Sequence, residues 1–229
     1  MSRFVQTLKE AGLSDRVFND RQLARHIGGS DARRYGLVNR SLKDGSLLRI
    51  KRGLYTLATE DARTSHHPFI IAQALQTGSY VSFESALSFH GWIPEAVHTT
   101  ASVSSGRKAL NRDTETFGNF SFLPIATEKF HFLAAIDRMQ FGSSGALVAR
   151  PLRALLDIVA QRKVSWTSMD WIEQGLRIDR SELMRLKRAD FTALYGAYKH
   201  KKVRDFLSAL ENEVMQLKKT RSTSQAVTQ

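Results

Sequence analysis

Apolar residues recur at helical spacing through the first third of the chain, then switch to alternation. Phe4, Val5 and Leu8 step by three and four and predict a first helix over 2–11. Val17 and Phe18 form a short extended piece, and Asp20 would cap a second helix, Arg21 to Ile27, that buries Leu23, Ala24 and Ile27. After the turn Gly28-Gly29, Ser30 is placed to accept from the free N–H groups of a third helix, and Gly45 to leave it in a left-handed conformation. Tyr35, Val38 and Leu42 fall on one side of that helix, while Arg33, Leu37 and Arg40 fall on the other, with Gly36 and Lys43 beside them. The period then drops to two. Leu47 to Lys51 and Leu54 to Leu57 read as strands joined at Arg52-Gly53, with glycine supplying the φ of a tight turn.

Helix, extended piece, helix, turn, helix and hairpin is the order of a winged helix-turn-helix, here residues 1–60. A polar stretch without periodicity follows, and 61–67 reads as a linker. Beyond it, 68–218 alternates helical and extended patterns. Pro68 opens a helix to Leu75 or Gln76, Tyr80-Val81 is extended, and Ser82 caps a helix from Phe83 to His90. Val97–Val103, Phe130–Ala135 and Ala146–Ala149 read as strands, and Thr114–Phe117 with Phe120–Leu123 as a hairpin turning at Gly118-Asn119. Ser104 to Asp113 reads as a basic loop. A helix from Pro151 to about Gln161 carries the stripe Leu152, Leu155, Leu156 and Val159. From Ser165 onward helices follow, including Phe191–Tyr198 and Val203–Leu217, and 219–229 has the polar composition of a disordered tail. The expected class is α+β: a winged helix-turn-helix, then a mixed α/β domain with a helical C-terminal part.

Charge narrows the choice of partner. The 229 residues carry 34 Lys and Arg against 22 Asp and Glu, a net +12. Residues 1–60 hold twelve of those cations and six of the acids, so the excess extends over the whole chain. Such a balance favours a polyanion, with nucleic acid first. Ser30, Arg33, Arg34, Leu37 and Arg40 would face the major groove of duplex DNA, with Arg33 and Arg40 on guanine edges and Leu37 on a thymine methyl. Lys43, Arg49, Lys51 and Arg52 would hold phosphates or reach the minor groove. One such module covers a half-site, so two copies on an inverted repeat are expected. There is no cysteine, which rules out disulfides, thiol catalysis and thiolate zinc sites. The apolar runs are too short to span a bilayer, and the chain is expected to be cytoplasmic.

Three segments, in order, carry a family resemblance: Arg52-Gly53-Leu54-Tyr55, Tyr80 to Ile93 with Ser82, Ser85, His90 and Gly91, and Ala149 to Asp157 with Pro151, Arg153 and Asp157. Over about residues 15–165 the chain resembles the AbiEi antitoxins of type IV toxin–antitoxin systems. The resemblance implies a DNA-binding autorepressor acting on inverted repeats upstream of its own operon. It also implies a second domain that counters a nucleotidyltransferase-like toxin, in most described cases without a stable complex. Leu152 departs from the acidic residue that the family often has there. A stand-alone regulator with no toxin shares every N-terminal feature.

Catalytic and metal chemistry find little support in the pattern. Ser85 and His90 invite a nucleophile–base reading, but five residues on a short helix place them about 140° apart by helical geometry, so a structural role is expected instead, with Ala86, Leu87 and Phe89 packing, Gly91 ending the helix and His90 bonding a nearby backbone group. The seven histidines lack metal-ligand spacing, no phosphate loop occurs, and the acids do not cluster as a nuclease's would. No cofactor and no enzymatic activity are expected. A partner surface in the second domain is assigned to Ser85, His90, Arg107, Lys108 and Asp157, with Arg107 and Lys108 equally readable as plain solvated surface.

Overall fold

The computed structural model describes residues 2–58 and 66–226, the last six of these as backbone only. Residues 61–65 of the expected linker lie outside the described residues. Two hydrophobic clusters organise the rest.

The first cluster gathers α1 (Arg3–Glu10), β1 (Phe18–Asn19), α2 (Asp20–His26), α3 (Asp31–Lys43), β2 (Leu47–Lys51) and β3 (Leu54–Leu57). Phe4, Val5, Leu8, Phe18, Leu23, Ile27, Val38, Leu47 and Leu57 meet in its centre. Its three antiparallel strands lie in the order β1-β3-β2. Helix α2 is capped by Asn19 rather than Asp20: the Asn19 side chain accepts from the Gln22 amide at 3.0 Å, and Gln22 returns the bond at 2.9 Å. This reciprocal box satisfies two amides where an Asp20 cap would satisfy one. Ser30 caps α3 as expected, accepting from the Arg33 amide at 3.3 Å.

The second cluster surrounds a six-stranded mixed sheet in the order β6-β7-β5-β4-β9-β8. Its strands are β4 (Tyr80–Val81), β5 (Thr99–Ser104), β6 (Leu110–Thr114), β7 (Gly118–Pro124), β8 (Ile136–Phe141) and β9 (Ser144–Ala149). The β4–β9 and β5–β7 pairs are parallel and the others antiparallel. Helices α4 (Pro68–Leu75), α5 (Phe83–Phe89) and α6 (Pro151–Arg162) pack on it, followed by a π-helical turn at Trp171–Gly175, α7 (Arg180–Arg185), α8 (Arg188–Thr192) and the long α9 (Lys201–Ala226).

Several expectations shift. Part of the basic loop is strand β6, and its hairpin partner β7 begins at Gly118, so the turn sits earlier than Gly118-Asn119. Phe130–Ala135 is not a strand: Lys129–His131 forms a 3₁₀ turn, and the strand is β8, which starts at Ile136. The Phe191 helix ends at Thr192. Helix α9 runs on to Ala226, through most of the stretch expected to be a disordered tail.

A buried polar node braces this domain. Asp157 and Arg153 of α6 are both fully buried and lie one helical turn apart, with Nε 3.1 Å from Oδ1. Asp157 also accepts from the hydroxyls of Tyr80 (3.0 Å), Ser82 (2.7 Å) and Tyr198 (2.7 Å). Arg153 spends its remaining donors on Tyr80 and on the carbonyls of His131, Phe132 and Ala134. One ion pair therefore ties β4, α6, the 131–134 segment and the approach to α9. Burial works against the Arg153 charge, but Asp157 and the two tyrosines outweigh it and raise its pKa. Burial first, and Asp157 next, push Tyr80 and Tyr198 well above the tyrosine range, so both remain protonated donors. Ser82, expected to cap α5, gives its hydroxyl to this node instead. The residue after it, Phe83, starts the helix in the left-handed region with φ 56°.

The two units touch. Ile50 and Leu54 of the hairpin belong to the second cluster. His66 is buried and pairs its Nε2 with the Thr56 hydroxyl. His67 accepts from the Phe69 amide at the start of α4 and stacks on Phe141, 4.0 Å between centroids. The last two residues of the expected linker are thus packed structure.

Candidate nucleic-acid interface

Helix α3 presents a different face from the one its apolar spacing suggests. Leu37 is half-buried and packs with Val38, Leu42 and the buried Ser41 on the first core, while Tyr35 is 70% exposed. Burial of Leu37 in place of Tyr35 follows from their chemistry. Leu37 has no polar atom to satisfy, whereas a buried Tyr35 hydroxyl would need a partner. The solvent side therefore carries Arg33, Tyr35, Arg40 and Lys43, while Leu37 is half-buried against the core.

Two of the expected contact residues are committed locally, and a third is held only loosely. The Ser30 oxygen is used as the helix cap. The Arg34 guanidinium binds the Gly29 carbonyl and the Asp31 carboxylate, which braces the turn before α3. Arg40 reaches back to the Gly36 carbonyl at 3.3 Å, a weak contact that leaves its head exposed. Among the described residues, Arg33, Lys43, Arg49 and Arg52 are exposed and have no ion-pair partner.

The hairpin brings its cations beside α3. A groove of about 680 Å³ runs between α2, α3 and the hairpin, with Arg21, Arg34, Tyr35, Arg49 and Arg52 along its walls and Asp20 and Asp31 as its acids. The hairpin turn is held over α2. Gly53 has φ 75°, which favours glycine, and a Cβ there would come 2.9 Å from the Asp20 carboxylate. Asp20 also hydrogen-bonds the Tyr55 hydroxyl, whose pKa is raised by burial and then by that carboxylate's charge.

Lys51 is exposed but held by a contact of its own. Perfect alternation would set it on the same side as Arg49, but the β2–β3 register shifts between the two. Ile50 turns into the second core, and the Lys51 ammonium donates to the Leu75 carbonyl at the end of α4, 2.7 Å away. Burial and the neighbouring Arg112 lower its pKa. Lys51 stays exposed, but its ammonium bridges the two units, a role the phosphate expectation did not include.

In the second domain, three of the five expected partner-surface residues point inward. Asp157 is the centre of the buried node. The Ser85 hydroxyl accepts from the Ala101 amide (2.8 Å) and donates to the Thr99 carbonyl (3.1 Å), fixing α5 to β5. His90 joins its Nε2 to the Ala149 carbonyl at 2.9 Å, and burial lowers its pKa. Ser85 and His90 thus bond different strands, not each other. Only Arg107 and Lys108 are exposed. The conspicuous residues of the second and third segments are therefore framework. Sequence spacing could have flagged one pair, since Arg153 and Asp157 stand four apart in an otherwise apolar helix.

Among the described residues no group of three His, Cys, Asp or Glu is placed to hold a metal ion, and no helix is long and apolar enough to cross a membrane. No family model matches the chain, and no curated protein matches it. Among solved structures, it is similar to the crystal structure of the RV2827C protein from Mycobacterium tuberculosis, at 12% identity and a TM-score of 0.52 over 93% of this chain and 78% of that one. At that identity the likeness is one of fold, a mixed α+β architecture.

Proposed function

We propose that residues 1–60 act as a winged helix-turn-helix and that the chain is a duplex-DNA-binding repressor of its own promoter. One observation carries this reading: α3 exposes Arg33, Tyr35, Arg40 and Lys43, and its Tyr35 and Arg34 share a groove with the hairpin's Arg49 and Arg52, which are exposed and unpaired among the described residues. A helix of that charge fits a major groove, and an adjoining basic hairpin fits the flanking phosphates. Arg33 and Arg40 read base edges. Tyr35 takes the place first assigned to Leu37. Lys43, Arg49 and Arg52 hold the backbone. Two copies on an inverted repeat complete the site.

The antitoxin role is the second half of the proposal and rests on the three-segment resemblance. In this reading the chain counters a nucleotidyltransferase-type toxin encoded beside it. Since Ser85, His90 and Asp157 are internal, antagonism uses other surface of the second domain or the repressor activity itself.

A promoter–reporter fusion carrying the chain's own upstream region tests the first half. Wild type represses it, and Arg33→Ala/Arg40→Ala relieves repression at unchanged protein level. Equal repression by both contradicts the assignment. Co-expression with the neighbouring gene tests the second half: growth rescued by the chain supports it, and no effect on toxicity sinks it.

A further inference from the structure

The surface just described leaves out a group of cations where the two units meet. Arg112 lies on β6, the outermost strand of the six-stranded sheet, opposite Phe120. It lies near Lys51 of the hairpin, whose charge it disfavours. The loop into β6 carries Arg107 and Lys108, both exposed. That loop runs past the turn after α4, where Ser105 Oγ is 4.0 Å from the Cβ position of Gly78. Lys51 binds the carbonyl of Leu75 at the end of the same α4. Hairpin, loop and sheet edge are therefore neighbours.

None of Arg107, Lys108 and Arg112 has an ion-pair partner among the described residues. Asp113 follows Arg112 in the strand, and alternation turns its side chain to the other sheet face. Cations on an edge strand also block edge-to-edge pairing. That role needs no particular place along the edge, and it does not account for Arg112 standing near Lys51, where like charges repel. A ladder of phosphates running off the hairpin would offset that repulsion.

We propose that Arg107, Lys108 and Arg112 form a second phosphate-binding segment, continuous with the hairpin, through which the second domain grips duplex DNA flanking the sequence read by α3. This rests on the DNA-binding reading above and extends it beyond residues 1–60.

The test is a salt titration of the full chain on a duplex of its own upstream sequence with long flanks, and on the same duplex trimmed to the repeat. Each lost phosphate contact flattens the slope of log K against log salt by about 0.9. Arg107→Ala/Lys108→Ala/Arg112→Ala is expected to flatten it by about 2–3, leave the preference over scrambled DNA within about twofold, and bind the trimmed duplex like wild type. Lys129→Ala/Arg138→Ala/Lys187→Ala removes equal charge from the 3₁₀ turn, the opposite edge strand β8 and the start of α8. It should leave the slope nearly unchanged. If the edge variant keeps the wild-type slope, or if both variants flatten it equally, the segment is overturned while DNA binding stands. If wild type shows no salt-sensitive binding to either duplex, the DNA-binding reading falls, and this inference with it.

Discussion

Replacing Asp157 by Asn changes one atom's chemistry in a fully buried polar site. The substitution keeps the shape of the side chain and removes its charge. Arg153 remains, 0% exposed, with no counter-charge. Breaking a buried pair in this way costs about 3–5 kcal/mol, because the surviving ion stays desolvated. The Tyr80, Ser82 and Tyr198 hydroxyls add to the cost, since the asparagine amide presents one acceptor oxygen where the carboxylate had two. Each truly orphaned donor costs about 1–3 kcal/mol, though these losses are not additive. A total near 4 kcal/mol is a large fraction of the stability of an ordinary domain, about 5–15 kcal/mol. Urea denaturation followed by far-UV circular dichroism reads it. Arg153→Met/Asp157→Leu removes both charges and should cost less than Asp157→Asn alone, although it leaves three main-chain carbonyls and three hydroxyls short of partners. Two cores allow two transitions, and only that of the second domain should move. A loss under about 1 kcal/mol in Asp157→Asn, or a double variant no better than the single, would refute the account of the node.

Other expectations can be checked on the same protein. Tyr35→Ala should weaken operator binding with little change in stability, because the ring is 70% exposed; Leu37→Ala should do the reverse, costing about 1–3 kcal/mol in denaturation. Arg49→Ala and Arg52→Ala should each flatten the salt dependence of DNA binding by about 0.9, whereas Lys51→Met should lower stability and leave that slope in place, since its ammonium is bonded to Leu75. Burial lowers the pKa of His66, His67 and His90 below the ordinary value of 6.5. Unfolding therefore takes up protons, so their stability contribution is present above pH 6.5 and is lost as pH falls through the folded-state values; denaturation midpoints should drop from pH 7.5 to 5.5, less so in His66→Asn/His67→Asn. Identical midpoints at both pH values would contradict this.

Much of the N-terminal unit is legible in the chain because its signals are local. The Ser30 cap, the Gly53 turn and the Val38 and Leu57 core positions need only neighbours within a few residues. What local spacing misses is set by contacts far along the chain. The three-to-four spacing admits either Tyr35 or Leu37 on the buried side of α3, and packing against the first core decides for leucine. Lys51 obeys strand alternation on paper, but Ile50 and Leu54 are drawn to a core built by residues after 68, and the resulting register shift carries Lys51 with them. Ser82, Ser85, His90 and Asp157 look like chemistry because they are polar and closely spaced. A structural role for Ser85 and His90 is legible in the sequence, but their partners are strands elsewhere in the fold, so which groups they bond is visible only in three dimensions. The edge cation Arg112 reads as loop because β6 is short, polar and paired on one side alone.

The most direct measurement is a binding titration of the full chain on its own upstream DNA and on a scrambled duplex of equal length, at two salt concentrations. The account predicts preference for the upstream sequence by at least about a thousandfold, weakening steeply with salt, and a preference that narrows at single positions of each half-site in Arg33→Ala and Arg40→Ala. Equal affinity for both duplexes, or a preference untouched by those two substitutions, would contradict it.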